Sequence, residues 1–387
     1  MATAEVVIVG GGVVGASVAY HLAARGVRDV LVLERGARPG AGSTGRATGG
    51  FRAQFGTEVN VRLSLLSREK LLRFEEETGV DPGYVPSGYL FVARDGGELE
   101  ALVDAQAVQR ECGLYEARAV GVEEIMRLNP AWNVEGVVGG VYCPTDGFIR
   151  PLEIMRGYAE AAARAGARFE YGAALEGVKG GVGGRVGALL TSAGEVSAGV
   201  VVNAAGAWAA EVGRKLGAEI PVAPLRRQVA VTRPTDLLPE GMPMTIEVGD
   251  GFHLRVRGGR VLLLWPDEPR GENPFDTSVD EGWLAAVVSK ARARVPCLRR
   301  VEIDRAACWA GLYEMSPDRH ALLGRAQGFD NLYLADGSSG HGVMHAPALG
   351  QLLAEIILDG AAHTLDVHAL RPSRFAEGEP NVGPSLL

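Results

Sequence analysis

Fewer than thirty residues near the start of the chain restrict its fold more than any other feature. Val6-Val7-Ile8-Val9 is a β-branched run of the kind that fills a strand buried on both faces. Gly10-Gly11-Gly12-Val13-Val14-Gly15 follows at once, in the pattern GxGxxG. From residue 13 to about 25 the periodicity is helical, with Val14, Val18 and Leu22 on one face. Gly26 ends that helix, Val30-Leu31-Val32-Leu33 is a second buried strand, and Glu34 closes it 19 residues after Gly15. Strand, glycine turn, helix, strand and acid stand in the order of a βαβ nucleotide-binding unit. Gly10 permits the tight turn, Gly12 lets a pyrophosphate touch the backbone, and Gly15 lets helix and strand pack closely. The helix N-terminus at Val13 and Val14 faces the phosphates, and Glu34 accepts hydrogen bonds from ribose hydroxyls. A lone GxGxxG also suits an ordinary glycine-rich turn; the ordered surroundings favour a dinucleotide site.

The rest of the chain extends this unit. A loop of small residues over 40–56 precedes a helix over 58–77, a strand at 89–92, helices near 96–111 and 122–128, and a strand near 137–142. Thr145-Asp146-Gly147-Phe148 reads as a turn into a helix opened by Pro151. Residues 167–202 alternate like a β-meander, and Val200–Asn203 is a buried strand running into Ala204-Ala205-Gly206-Ala207-Trp208. Strands follow near 227–232, 251–257 and 260–265, then a helix near 280–294 and a strand near 301–308. Residues 331–335 form a strand, Asp336–Gly342 a loop, and 343–359 an apolar-faced helix; the polar tail after about 365 carries little information. The expected fold is α/β. A discontinuous Rossmann-like domain (1–80, 145–225 and 306–365) carries an inserted α+β substrate domain (81–144 and 226–305) built on an antiparallel sheet, with 366–387 as a C-terminal tail.

Composition narrows the function classes. A net charge of −8 over 387 residues argues against nucleic acid, which calls for a basic face. No apolar run approaches the ~18 residues of a membrane span, and the N-terminus lacks the basic and apolar regions of a signal peptide. Cys112, Cys143, Cys297 and Cys308 show no CxxC spacing, so neither a metal site nor a disulfide framework is indicated, and a reducing cytoplasm is the expected location.

Three separated motifs then converge: the N-terminal unit with Glu34, the Asn203–Trp208 strand end, and Gly340-His341-Gly342 opening the last helix. The sequence resembles the D-amino-acid-oxidase-like FAD-dependent oxidoreductases over about residues 5–360. Within them it looks most like sarcosine oxidases and the β subunits of sarcosine oxidase and proline dehydrogenase. The resemblance implies an extended FAD, with adenosine at Glu34 and Arg35 and pyrophosphate at Gly12–Gly15. It places the isoalloxazine between the 42–52 loop (Gly42, Ser43, Thr44, Arg46, Ala47, Thr48 and Gly49) and Gly340-His341-Gly342-Val343-Met344. The backbone near Val178 is expected at the adenine edge, and Ala205, Gly206 and Trp208 beside the cofactor; Trp208 also reads as a core aromatic. Monomeric sarcosine oxidases link flavin through a Cys two residues before the position of Tyr313, where this chain has Gly311, and Cys308 lies three residues upstream. The heterotetrameric β subunits use a His near the position of Pro151. The implied FAD is therefore non-covalent.

The resemblance also implies oxidation of the C–N bond of a secondary amine or amino acid, sarcosine- or proline-like. Arg52 matches the arginine that grips the substrate carboxylate, as a guanidinium fork is suited to do. Tyr313 and His341 match residues lining the site, and Arg255 is expected to face the flavin; each also has a structural reading, and Arg46 also reads as a brace for its loop. True oxidases of the family place lysines where this chain has Trp265 and Met344, and none of Lys70, Lys179, Lys215 and Lys290 falls in a flavin motif. That favours a quinone or second flavoprotein over oxygen alone as electron acceptor. The open alternatives are a peroxide-forming oxidase, a non-catalytic FAD-bearing subunit and an NAD-dependent dehydrogenase. Homo- or hetero-oligomerisation is also open.

Overall fold

The computed structural model describes residues 2–266 and 273–383. β1 (Ala2–Val9), α1 (Val13–Ala24) and β2 (Val30–Glu34) form as the pattern predicts. β1 is the centre of an eight-stranded sheet. It pairs in parallel with β2 on one side and with Gly194–Asn203 on the other, and Gly194–Asn203 pairs in parallel with Leu332–Asp336. The carboxyl ends of four parallel strands, at Val9, Glu34, Asn203 and Asp336, therefore open at one edge, where ligands bind in open α/β sheets. α1 packs against Pro151–Arg164 on one side and Gly342–Asp359 on the other. That sandwich explains why α1 is apolar nearly all round.

A second eight-stranded sheet faces that edge. Its order is Trp309–Met315, Ala223–Val231, Arg260–Leu264, His253–Arg257, Met244–Glu247, Tyr89–Ala93, Gly139–Cys143 and Arg118–Val120. It is antiparallel except where Met244–Glu247 runs parallel to Tyr89–Ala93. Period two along each strand puts Tyr89 and Phe91, Met244 and Ile246, His253, Leu264, and Leu225, Arg227 and Val229 on one face, which roofs the crevice.

Two expectations need correction. Residues 301–308 are not a strand: they make one isolated bridge, Thr232–Ile303, and a 3₁₀ turn at Arg305–Ala307. Asp304, Ala306 and Ala307 offer little to a pleated face; the strand is Trp309–Met315, paired along Ala223–Val229. The segment 306–365 thus gives its first strand to the second sheet. The tail is also more than a polar end. Arg374 is fully buried. Its Nε and Nη2 donate to Asp318 Oδ2 and Oδ1 at 2.8 and 2.9 Å, and its Nη1 and Nη2 donate to the Leu370, Arg371 and His320 carbonyls. Asn381 donates to the same carboxylate through its backbone and side-chain nitrogens. Burial alone would push the Asp318 carboxyl up, but these hydrogen bonds and the guanidinium hold it far below the usual range. A lone arginine in a polar tail gives no sequence sign of the acid it will meet.

Candidate active site

A cavity of about 1350 Å³ lies between the sheet edge and the roof. That exceeds the roughly 300–1,000 Å³ of small-molecule pockets, leaving room for a dinucleotide and a small substrate together. Of the site residues expected from sequence, all line the cavity except Gly15, Val178 and Arg255.

At the βαβ end the glycines divide the work. Gly10 has φ +116°, and a Cβ there would lie 2.2 Å from the Ala204 carbonyl oxygen; a Cβ on Gly15 would lie 1.9 Å from the Gly10 oxygen. Those two are demanded by the fold itself. A Cβ on Gly12 would meet only Thr44 Oγ1, at 3.3 Å, so this glycine leaves open the space beside the helix N-terminus. The Val13 N–H donates to Thr44 Oγ1 at 3.1 Å, tying the 40–50 loop to that terminus. Glu34 accepts from the backbone N–H of Gly11 and of Gly36, at 2.9 and 2.7 Å, which fixes its carboxylate at the cavity wall. Arg35 stacks on Trp208, 3.6 Å from its ring centre, and Trp208 stacks on Phe275. Val178 does not reach the cavity, because it sits within a ladder opposite Leu189. Ala173, Ala174 and Leu175 line the wall instead.

At the other end Arg46 donates to the Ala310 carbonyl at 2.6 Å, and its own carbonyl accepts from Trp309 Nε1, so it braces its loop against the roof. Arg255 shares the roof face with His253, but it is buried, donates to the Thr48 carbonyl and lies 3.7 Å from the Phe148 ring centre. The expectation that it faces the flavin is therefore corrected: the 48–49 turn covers it. Tyr313 lines the cavity, packed against Gly340, where a Cβ would come within 2.4 Å of its ring.

Arg52 is buried, and burial brings its guanidinium down to about 10, so it stays charged at neutral pH. Nη1 donates to the Gln54 carbonyl at 2.6 Å, and the group lies 4.1 Å from the Phe55 ring centre. Its Nη2 is 3.3 Å from His341 Nε2. A guanidinium can only donate, so His341 Nε2 accepts and the ring is neutral. Burial and then the Arg52 charge push the His341 pKa well below its usual value, in agreement. His345, one turn on, has its Nε2 2.9 Å from Ser64 Oγ and is held down to about 3 mainly by burial. His341 thus braces Arg52, and His345 is structural.

Sequence reasoning missed part of this wall. Arg227, His253, Glu314 and Arg319 also line the cavity. Burial pushes the Glu314 carboxyl up to about 7, and burial and then the Glu314 charge hold Asp336 well above its usual range. Alternation along residues 225–231 and 253–257 marks two faces, but nothing in it says which face turns to the cavity.

The sequence profile of the family described as DAO, FAD dependent oxidoreductase, matches residues 5–356. The chain belongs to that family. FAD is the family's cofactor, and the glycine-lined edge and the size of the cavity fit it. In structure the chain is similar to L-proline dehydrogenase from P. horikoshii, at 30% identity and TM-score 0.90, covering 98% of this chain and 100% of that one. It is also similar to glycine oxidase from Geobacillus kaustophilus, at 27% identity and TM-score 0.84, covering 97% and 99%. In sequence it is 31% identical to mitochondrial dimethylglycine dehydrogenase of Rattus norvegicus, over 97% of this chain and 45% of that protein. The chain thus spans less than half the length of the dimethylglycine dehydrogenases it matches. Among the described residues no helix is long and apolar enough to cross a membrane.

Proposed function

We propose that this chain oxidises the C–N bond of a secondary amino acid, sarcosine- or proline-like, with FAD held non-covalently. The observation that carries the reading is Arg52: a charged, buried guanidinium on the cavity wall, held in place by the Gln54 carbonyl and by His341. Such a group suits a substrate carboxylate. FAD supplies the hydride-accepting chemistry when bound. The chain's own part is to bind and orient. Gly10–Val14, Thr44 and Glu34 would hold the adenosine and pyrophosphate end, and Gly340–Met344 with the 42–49 loop would flank the ring system. Arg52 grips the carboxylate, while Tyr89, Phe91, Met244 and Ile246 form an apolar roof that keeps water from the reacting carbon. Neutral His341 keeps Arg52 in place and carries its proton on Nδ1, so its Nε2 is not a base for the amine. The likeness to a proline dehydrogenase supports a secondary amino acid, and the likeness to dimethylglycine dehydrogenase supports an N-alkylated amino acid more broadly.

Non-covalent attachment is supported by Gly311 at the cavity wall and by Cys308, whose thiol is engaged with the Asp304 carbonyl and the Val231 N–H. For the acceptor, Met344 is buried with its sulfur on the Arg52 N–H, and neutral His341 adds no positive charge. The Lys290 ammonium lies 4.6 Å from the Trp265 ring centre but is paired with Asp250. The absence of a lysine at these two positions supports an acceptor other than oxygen alone, with Arg52, Arg227 and Arg319 among the positive groups on the cavity wall. Anaerobic flavin bleaching against sarcosine, proline and other amino acids tests the substrate class; no bleaching by any of them refutes it. Turnover with a dye or quinone should exceed turnover with oxygen by at least roughly tenfold. Acid precipitation should leave yellow flavin in the supernatant.

A further inference from the structure

Asp146 belongs to a turn motif for which the proposed chemistry has no use, yet its side chain is fully buried beneath the Arg52 loop. Oδ1 accepts from the Ala53 N–H at 2.7 Å, and Oδ2 accepts from Gln54 Nε2 at 2.9 Å. Ala53 and Gln54 directly follow Arg52, and the Gln54 carbonyl is the acceptor for Arg52 Nη1. Gln54 Nε2 also donates to the Tyr89 carbonyl, and the Asp146 carbonyl accepts from the Gly88 N–H at 2.7 Å. The carboxylate thus ties the Arg52 loop to the roof sheet through both oxygens. It is also a negative charge set behind a buried positive one.

We propose that Asp146 is a positioning residue for substrate carboxylate recognition: it fixes the backbone that aims Arg52 and offsets the buried guanidinium charge from the side away from the cavity. The inference rests on the reading of Arg52 as the carboxylate grip. Two physical effects act together. A turn anchored at both oxygens loses less freedom when the substrate arrives, so less binding energy is spent on ordering it. A carboxylate behind the guanidinium also keeps Arg52 charged despite burial. Burial pushes the Asp146 carboxyl up to about 6, against the hydrogen bonds from Ala53 and Gln54 and the Arg52 charge. The titratable groups facing it are Arg52 on its own loop, Tyr84, Tyr89 on the roof, and Tyr142 and Cys143 on the preceding strand. Arg52 is brought down only to about 10, burial raises the three tyrosines, and Cys143 is pushed up to about 12. None of them changes charge between pH 5 and 8.

The test compares each amino acid with the same amine lacking its carboxylate: proline with pyrrolidine, and sarcosine with dimethylamine. In Asp146→Asn holoenzyme, kcat/KM for proline or sarcosine should fall by roughly tenfold, carried by KM, while kcat/KM for pyrrolidine and dimethylamine and the flavin content stay put. In the wild type, KM for the amino acid should rise as pH falls through about 6. That inflection should vanish in the variant. An equal loss for amino acid and bare amine would make Asp146 merely structural and overturn the proposal, as would no loss at all. Should Asp146→Asn fail to fold, the wild-type pH series decides: an amino-acid KM that is flat from pH 5 to 8 overturns the proposal. Arg52→Gln run alongside separates the two readings. If it abolishes the preference for the carboxylate-bearing substrate while Asp146→Asn does not, this inference alone fails. If neither moves the preference, the reading of Arg52 fails.

Discussion

Replacing Arg52 with lysine probes the proposed carboxylate grip while keeping its charge. The guanidinium has five donors in a planar fork. In the structure one goes to the Gln54 carbonyl and one to His341 Nε2. Lysine has three donors on a single atom and cannot serve both braces while meeting a carboxylate in a bidentate way. At least one charge-assisted bond to the substrate is then lost, at about 1.5–3 kcal/mol. That corresponds to a rise of roughly 10- to 150-fold in apparent substrate constant. Steady-state kinetics with a dye as acceptor, at saturating and limiting proline or sarcosine, reads the change. Flavin absorbance should persist, because the proposed reading gives Arg52 the substrate carboxylate and leaves the FAD contacts to other residues. An unchanged constant for carboxylate-bearing substrates would remove Arg52 from the binding site and with it the main support for an amino-acid substrate.

Three further outcomes follow from the same geometry. Gly12→Val should fold but lose FAD: its Cβ meets only Thr44 Oγ1 in the protein, and its methyl groups take up the space beside the helix N-terminus. Wild-type flavin content in purified Gly12→Val would refute that placement. Arg374→Met breaks a buried ion pair, worth about 3–5 kcal/mol. For 387 residues at about 2.1 cal/mol/K each, the melting temperature should drop by roughly 4–6 °C, and an unchanged value would refute the structural role of the tail. Five of the seven histidines (21, 253, 320, 341 and 345) have pKa values lowered by burial. They take up protons only on unfolding, so their contribution is present above the unfolded value near 6.5 and lost as pH falls below it. Asp146, Glu314 and Asp336, whose values are raised in the fold, oppose this by binding protons in the native state. The melting temperature should fall between pH 7 and 5, and a rise would refute the predominance of the five histidines over these three carboxyls.

The sequence alone determined the nucleotide-binding unit, because each part of it is local. A β-branched run, glycines at fixed offsets, a 3.6-residue period and an acid at a set distance sit within thirty residues, and Gly15 is required by a contact inside that unit, with the Gly10 oxygen. The Gly340–Met344 helix start was legible from its Gly-His-Gly pattern, although the Tyr313 ring that Gly340 clears comes from the second sheet. What only the tertiary structure decided are facts about which side of an element faces what. Arg255 and His253 are two residues apart on one strand and share a face, yet the 48–49 turn covers one and the cavity receives the other. Val178 lies in a meander strand whose register carries it away from the cavity. Whether His341 carries a charge depends on Arg52, 289 positions earlier in the chain. The same is true of Asp318 with Arg374, and of Asp146 with the Arg52 loop. Charge state and aim are set by partners brought together only when two sheets and a tail close on one another, and no local spacing encodes that closure.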